Sequence, residues 1–137
     1  MKGTARNFFT IAVIYSLVGM SLGLQMAMSQ DHTQMPTHAH IMVLGWLMSA
    51  VFAVFYHLVP AAGASLLAKI HFWIAALSSL GMFIGLFILY GGNPSIEPLL
   101  GVSAMAYFAG TFLFAFIALS ALWRPNPGSS KHQVPAE

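Results

Sequence analysis

Four long apolar segments alternate with short polar connections along the chain. The apolar segments cover about residues 7–28, 38–59, 68–90 and 100–123. Each has roughly the 20 residues that a helix needs to cross a hydrocarbon core about 30 Å thick. Because a bilayer interior offers no water to backbone amides, these segments must be helical. The pattern predicts an all-α membrane protein, a four-transmembrane-helix bundle within residues 1–124.

Prolines and polar residues mark the ends of the segments. Pro36, Pro60, Pro94 and Pro98 fall in or beside the connections, where helix breakers are expected. Residues 125–137 are polar and rich in proline, which predicts a disordered tail.

The start of the chain, MKGTAR followed by an apolar run, resembles a signal peptide, but the apolar run is too long and no clean cleavage site follows it. We therefore expect this run to remain as the first transmembrane helix.

The composition agrees with a membrane protein. The chain is 58% hydrophobic and only 6% charged, whereas a soluble domain carries about a quarter charged residues. It has no cysteine, which excludes disulfides, thiolate metal sites and covalent haem attachment. Its basic residues are too sparse for a nucleic-acid footprint, so the predicted surroundings are the lipid bilayer and no nucleic acid.

The placement of the charges predicts the orientation. With four crossings, all the Lys and Arg residues fall on one side: Lys2, Arg6, Lys69, Arg124 and Lys131. The positive-inside rule makes that side cytoplasmic, with both termini. The predicted location is therefore a bacterial plasma (inner) membrane, which the chain crosses several times. The outer face then carries the acidic residues Asp31 and Glu97 and three histidines, His32, His38 and His40.

Two histidines in the stretch MPTHAHIMVLGW (35–46) are the main candidates for chemistry. On a helix, residues two apart point about 200° apart, so His38 and His40 can serve two sites but not one metal from a single turn. If the helix begins only at His40, His38 lies in the entry turn and this geometry does not apply. His38 follows Pro36 near the interface, where a histidine needs no ligand. His40 lies deeper, and an ionisable residue within a membrane helix marks a functional site by default. Neutral imidazole is also an axial ligand of haem iron.

Other residues offer weaker signals. Small-xxx-small spacing in Gly19/Gly23 and Gly81/Gly85 lets helices approach closely, or lets a flat ligand lie against a helix. His57 and His71 flank the second connection and could meet each other. They are either interfacial or hydrogen-bonded residues, or a second metal or proton site.

Methionines in the outer half allow a copper interpretation. Thioether and imidazole ligands together suit Cu(I), although Met is also an ordinary filler of apolar cores. The methionines that lie in or near the same half as the outer histidines are Met20, Met26, Met28, Met35 and Met42.

The histidine-bearing segment resembles a known membrane helix. THAHIMVLGWLMSAVFAVFYHLVP (37–60) is similar to the second transmembrane helix of subunit I of the haem–copper oxidases, whose histidine is an axial ligand of the low-spin haem. His40 sits at the matching place, and HLVP (57–60) matches the exit turn. IHFWIAALSSLGMFIGLF (70–87) resembles the family's third helix and IYSLVGMSLGLQMAM (14–28) its first, so the resemblance covers roughly residues 8–90.

The departures from that family limit what the resemblance implies. Subunit I has three groups of four helices, and this chain has one. The copper-ligand motifs, of the His-Pro-Glu-Val-Tyr and His-His types, are absent from the sequence. The resemblance therefore implies no oxygen reduction by the family's mechanism, and whether the chain is an enzyme stays open.

The His-x-His pair also resembles a later helix of subunit I, in which one histidine serves each of two haems. Three copies of this chain in a ring would reproduce the three groups of the large subunit. The resemblance thus implies a homotrimer, in which His40 of one chain and His38 of the next bind one haem at each interface.

The sequence predicts a membrane-embedded, b-type haem-binding protein, with a bis-histidine electron-transfer or gas-binding role and a redox partner on the outer face. His40 and His38 are the predicted iron ligands, and Met42 lies beside them. Gly19, Gly23 and Gly45 are candidates to leave room for a porphyrin ring. Two alternatives stay open: a His/Met copper-binding or copper-delivery protein, and a cofactor-free accessory subunit of a respiratory complex.

Overall fold

A computed structural model of the chain describes residues 1–123, and that part is helical without any strand. Four helices are long and apolar enough to cross a membrane, as predicted. They are α1 (Gly3–Ser29), α2 (Met35–Leu58), α3 (Leu66–Tyr90) and α4 (Glu97–Leu122). The tail predicted to be disordered, residues 125–137, lies outside the described residues.

Each helix begins a few residues before the apolar segment that predicts it. The first turn of a helix has backbone N–H groups without helical partners, so proline and polar residues are tolerated there. Pro36 occupies the first turn of α2 and Pro98 the first turn of α4. Ser65 caps α3, because its Oγ accepts a hydrogen bond of 3.1 Å from the backbone N–H of Ala68.

Short helical turns fill two of the connections. A single turn, Pro60–Gly63, lies between α2 and α3. A 3₁₀ turn, Pro94–Ile96, leads into α4 and is held by Asn93, whose Oδ1 accepts hydrogen bonds from Ser95. The connections are therefore short and structured, which keeps consecutive helices antiparallel.

The α3–α4 pair packs closely through the predicted small residues. A methyl group added at Gly81 would lie 2.6 Å from the Oγ of Ser103, and one added at Gly85 would lie 3.3 Å from the Cβ of Leu100. The close-packing interpretation of Gly81/Gly85 is thus confirmed. Gly110, on α4, gives the same close approach to Ile74.

The helices alternate in direction, so residues from different connections share an end. Gln34 donates a hydrogen bond of 3.1 Å to the carbonyl of Phe87, which joins the start of α2 to the end of α3. At the other end, Gly3 and Lys69 line one surface cavity, which places the starts of α1 and α3 together. The end that holds Lys69 is called the basic end below, and the opposite end the histidine-pair end.

Two buried clusters hold the bundle together. The aromatic cluster lies at the basic end and comprises Phe8, Phe52, Tyr56, His71 and Phe114. The central cluster lies nearer the histidine-pair end and comprises Ile41, Met82, Phe83, Leu86 and Tyr107. Many large apolar side chains outside these clusters are exposed, as expected for helices surrounded by lipid, for example Leu24, Leu58 and Phe116.

Candidate functional site

His38 and His40 both lie on the first, regular α-helical turns of α2, Met35–His40. Both side chains are half-buried. Because both residues are on the helix, their positions differ by about 200° around its axis, and they point to different sides. The structure therefore does not bring the two imidazoles together within one chain.

The His38 side chain is directed at α1. Its Nδ1 lies 2.8 Å from the carbonyl oxygen of Gly19. A carbonyl oxygen can only accept, so Nδ1 carries the proton and Nε2 is left as the free nitrogen of the neutral ring. The ring rests against Gly23, where an added Cβ would lie only 2.8 Å from its Cε1 atom.

The His40 side chain is held by its own helix. Its Nδ1 lies 2.7 Å from the carbonyl oxygen of Pro36, one turn earlier. The same reasoning places the proton on Nδ1 and leaves Nε2 free. Metal-binding histidines almost always donate their other ring N–H to a carbonyl, a carboxylate or water, which fixes the tautomer and the ring orientation. Both histidines of the pair thus have the arrangement of a ligand that binds through Nε2.

A π-helical segment, Ile41–Leu47, follows the histidines directly. The phenol of Tyr107 on α4 donates a hydrogen bond of 2.9 Å to the carbonyl of Leu44 within this segment. Wide π turns are rare and occur often at functional sites. The π-helical segment could not be predicted from the sequence, because IMVLGWL contains no proline and has the pattern of an ordinary apolar helix.

The three candidate glycines are covered by side chains of the same chain. An added Cβ would lie 2.6 Å from the Sδ of Met42 at Gly19, and 2.9 Å from both Tyr15 and Phe83 at Gly45. With His38 over Gly23, side chains of α2 thus fill the Gly19/Gly23 notch. That these glycines leave room for a porphyrin ring stays a prediction, and here they leave room for His38, Met42 and Tyr15.

The remaining histidines do not join the pair. His32 is exposed in the first connection, where its Nδ1 lies 3.2 Å from the carbonyl of Gln30. His57 is exposed at the basic end and lines a surface cavity of about 450 Å³ together with Lys2. His132 lies outside the described residues.

His71 bonds to Tyr56, the residue next to His57 in sequence. The Tyr56 hydroxyl lies 2.9 Å from the Nδ1 of His71, and both side chains are almost completely buried. The hydrogen-bonded interpretation of His71 is therefore confirmed. Sequence reasoning missed the pair itself, because the contact depends on how α2 packs against α3.

The connection before α2 is ordered by an acidic residue. The backbone N–H of Thr33 donates a hydrogen bond of 2.9 Å to Asp31, and the Thr33 hydroxyl donates a second one. These donors favour the ionised carboxylate and lower the pKa of Asp31 below its usual value. Among residues 1–123, no group of three or more His, Cys, Asp or Glu side chains could hold a metal ion.

Comparison with known proteins finds no matching family model, no matching curated relative and no matching solved structure.

Proposed function

We propose that the chain is a multi-pass membrane haem protein of the b-cytochrome type, with His40 and His38 as axial ligands. The observation that carries this proposal is the hydrogen bond from each Nδ1 to a backbone carbonyl, at 2.8 Å for His38 and 2.7 Å for His40. Each bond sets the tautomer that offers Nε2 to a metal. The resemblance of residues 37–60 to a haem-binding helix points to the same chemistry.

The donor set fits a porphyrin better than a bare metal ion. A porphyrin supplies four of the iron ligands itself, so the protein needs to add only one or two imidazoles. Bound haem would supply one-electron redox chemistry or, with one position open, gas binding. The chain would contribute Nε2 as the ligand, the Gly19 and Pro36 carbonyls as orienting acceptors, and apolar helices that exclude water.

A bis-histidine site requires two copies of the chain, because His38 and His40 point to different sides of α2. We propose a homotrimer in which His40 of one chain and His38 of the next bind one haem. Such a ring needs a different surface of each chain on either side of the interface. Contact with a neighbouring chain is supported by a row of polar side chains on the side of α1 opposite Gly19 and Gly23. These side chains are exposed at i, i+4 spacing: Ser21, Gln25 and Ser29. Polar side chains on a membrane helix favour contact with another helix.

The proposed orientation places the basic end in the cytoplasm of a bacterial cell and the histidine pair toward the outer face. Lys2, Arg6 and Lys69 lie at one end of the described bundle, and Asp31 and Glu97 lie at the other. The positive-inside rule then sets the direction. A redox partner would dock on the outer face, near the first and third connections.

The test is the absorption spectrum of the purified protein in mild detergent, oxidised and then reduced with dithionite. We expect a Soret band and sharp reduced α and β bands, which His40→Ala abolishes. His57→Ala is the matched control, because His57 is exposed at the opposite end, and its spectrum should be unchanged. A wild-type protein that stays colourless when haem is supplied would refute the haem proposal. Haem bound to a stable monomer in native mass spectrometry would refute the trimer.

Copper is the second candidate, and one observation favours it. His38 and Met42 are neighbours at i, i+4 on the face of α2 that packs on α1, so a thioether and an imidazole lie on the same side. The spectrum and metal content of one purified preparation distinguish the haem protein from the copper protein. Copper binding without a Soret band, lost in both His38→Ala and Met42→Leu, would support the copper protein. A colourless protein that binds neither would point to the accessory-subunit alternative.

A further inference from the structure

The aromatic cluster contains a buried phenol and a buried imidazole that the proposed haem site does not use. Tyr56 Oη and His71 Nδ1 are 2.9 Å apart. Tyr56 is 2% exposed and His71 is 0% exposed. Among the described residues, one buried side-chain nitrogen or oxygen atom has no hydrogen-bond partner, and it is the Nε2 of His71. A polar atom left in this way needs an explanation.

The unpartnered Nε2 indicates which group donates in the pair. If Tyr56 donates to Nδ1, Nε2 carries the proton and is the single unsatisfied group. If Nδ1 donated instead, the phenol proton would lose this acceptor and the Nε2 lone pair would be unpaired as well. An N–H can also point at an aromatic ring with some gain, which a lone pair cannot. The phenol is therefore the donor and the imidazole is the base.

Aromatic rings surround the His71 imidazole on several sides. The rings of Phe8 and Phe114 lie 5.0 and 5.5 Å from the His71 ring, tilted from its plane by 36° and 31°. Phe52 meets the same ring edge-on at 4.7 Å. Aromatic faces attract cations, and this attraction offsets part of the cost of charging a buried imidazole.

The other tyrosines lack a base. The Tyr15 hydroxyl lies 3.0 Å from the Oγ of Ser79, and the Tyr107 hydroxyl donates to the carbonyl of Leu44. Neither a serine hydroxyl nor a peptide carbonyl can take up a phenol proton near neutral pH. Tyr90 is 39% exposed at the opposite end of the bundle. Tyr56 is thus distinguished from the other three by its proton acceptor.

We propose that Tyr56 is a redox-active tyrosine and that His71 is the acceptor of its proton. One electron leaves the phenol for a strong one-electron oxidant, such as an organic radical or a high-valent metal centre. The Oη–H bond breaks and an Nδ1–H bond forms, which yields a neutral tyrosyl radical hydrogen-bonded to an imidazolium. Return of one electron moves the proton back, so the step is reversible. The inference does not depend on the haem proposal.

The test generates the oxidant by light. Photo-oxidised tris(bipyridine)ruthenium serves as the oxidant for the purified protein, with any bound haem kept ferric so that it does not donate the electron. The background is Tyr90→Phe, because the exposed Tyr90 would react directly. Electron paramagnetic resonance after rapid freezing should show a radical whose hyperfine lines narrow when ring-deuterated tyrosine is incorporated. That narrowing distinguishes a tyrosyl radical from a tryptophan radical.

Three variants assign the radical. Tyr56→Phe should lose it, whereas Tyr15→Phe and Tyr107→Phe should keep it, and all three substitutions remove only a hydroxyl group. Pulsed double-resonance spectra after exchange into D₂O should show one strongly coupled deuteron, which His71→Asn removes. Since His71→Asn can perturb folding, the deuteron coupling of the protein that retains His71 stands as the independent measurement. A tyrosyl radical that survives in Tyr56→Phe, or a tyrosyl radical in the wild-type background without a coupled deuteron, would overturn the proposal.

Discussion

The two ends of the bundle use histidine in opposite ways. At the histidine-pair end, His38 and His40 are half-buried, and each binds a backbone carbonyl through Nδ1. At the basic end, His71 is fully buried among aromatic rings, and its hydrogen-bond partner is the Tyr56 side chain. Within the part of the chain that the structure describes, the first arrangement leaves the Nε2 of each ring without a hydrogen-bond partner. The second encloses the ring in the chain's own core.

On the proposals made above, this difference separates a site that binds a ligand from a site of internal proton transfer. A backbone carbonyl cannot leave its helix, so it fixes the orientation of an imidazole without taking up its second nitrogen. The aromatic rings packed around His71 leave its imidazole 0% exposed, so a ligand cannot reach it from outside the folded chain. The following predictions test that contrast, from the largest expected effect to the smallest.

Phe52→Ala should give the largest loss of stability, because Phe52 packs against Phe8, His71 and Phe114. We expect the free energy of unfolding to fall by about 3 kcal/mol, the lower end of the range for Phe→Ala in cores. The lower end applies because lipid is as apolar as the protein interior, so the loss is mainly of packing. Denaturant-induced unfolding in detergent measures it.

The matched control for Phe52→Ala is Phe108→Ala, since Phe108 is 64% exposed on α4. It should leave the unfolding midpoint nearly unchanged. Equal losses in the two variants would contradict a core at the basic end.

Gly23→Ala should damage the histidine-pair end and spare the basic end. The new Cβ would lie 2.8 Å from Cε1 of His38, so the ring must move. We expect a cost of roughly 1 kcal/mol, as for mild overpacking. If haem is bound through His38 as proposed, the variant should also convert it to a form that binds CO. Gly101→Ala is the control, because no atom lies within 4 Å of its added Cβ. CO binding that is unchanged in Gly23→Ala would exclude His38 as a ligand.

Tyr107→Phe should loosen the π-helical segment. The variant loses the hydrogen bond of 2.9 Å to the Leu44 carbonyl, which is worth about 1 kcal/mol. Hydrogen exchange of the backbone amides in residues 41–47 should become faster. Tyr90→Phe, at an exposed position, should not change it. If exchange in this segment stayed the same, Tyr107 would not hold the π turn.

Asp31→Asn should have the smallest effect, visible only through pH. Hydrogen bonds from Thr33 lower the pKa of Asp31 in the folded protein. A lowered pKa contributes stability above the ordinary value of about 4, and that contribution is lost as the pH falls through the folded pKa. The variant should therefore show a weaker decline of the unfolding midpoint on acidification. A decline identical to that of the wild type would mean that Asp31 has no part in it.

Much of the architecture could be predicted from the sequence. The lengths of the apolar segments predicted four membrane-spanning helices. The spacing of Gly81 and Gly85 predicted that α3 packs closely against another helix, which is α4. The starts of the helices were predicted a few residues late, because hydropathy excludes the polar first turn that α2 and α4 build with proline. The two sides of α2 that His38 and His40 occupy followed from their spacing on the condition that the helix includes His38, and it begins at Met35.

The contacts of those histidines could not be predicted in the same way. That His38 binds the Gly19 carbonyl depends on the register of α1 against α2, which the spacing of apolar residues does not contain. The sequence offered Gly19 and Gly23 as space for a ligand or for a helix, and the tertiary structure fills that space with His38 and Met42. The Tyr56–His71 pair likewise exists only because α1, α2, α3 and α4 converge on one aromatic cluster.

The sequence by itself determined that this chain forms four apolar helices and carries two histidines on opposite sides of the second. Both features are local, since they follow from segment length, from the need to satisfy backbone groups in lipid and from the helical period. The tertiary structure alone decided which nitrogen of His38 is free, where α2 widens into a π turn and which phenol meets a base. Those features depend on how the helices pack against each other, and no single segment specifies that packing.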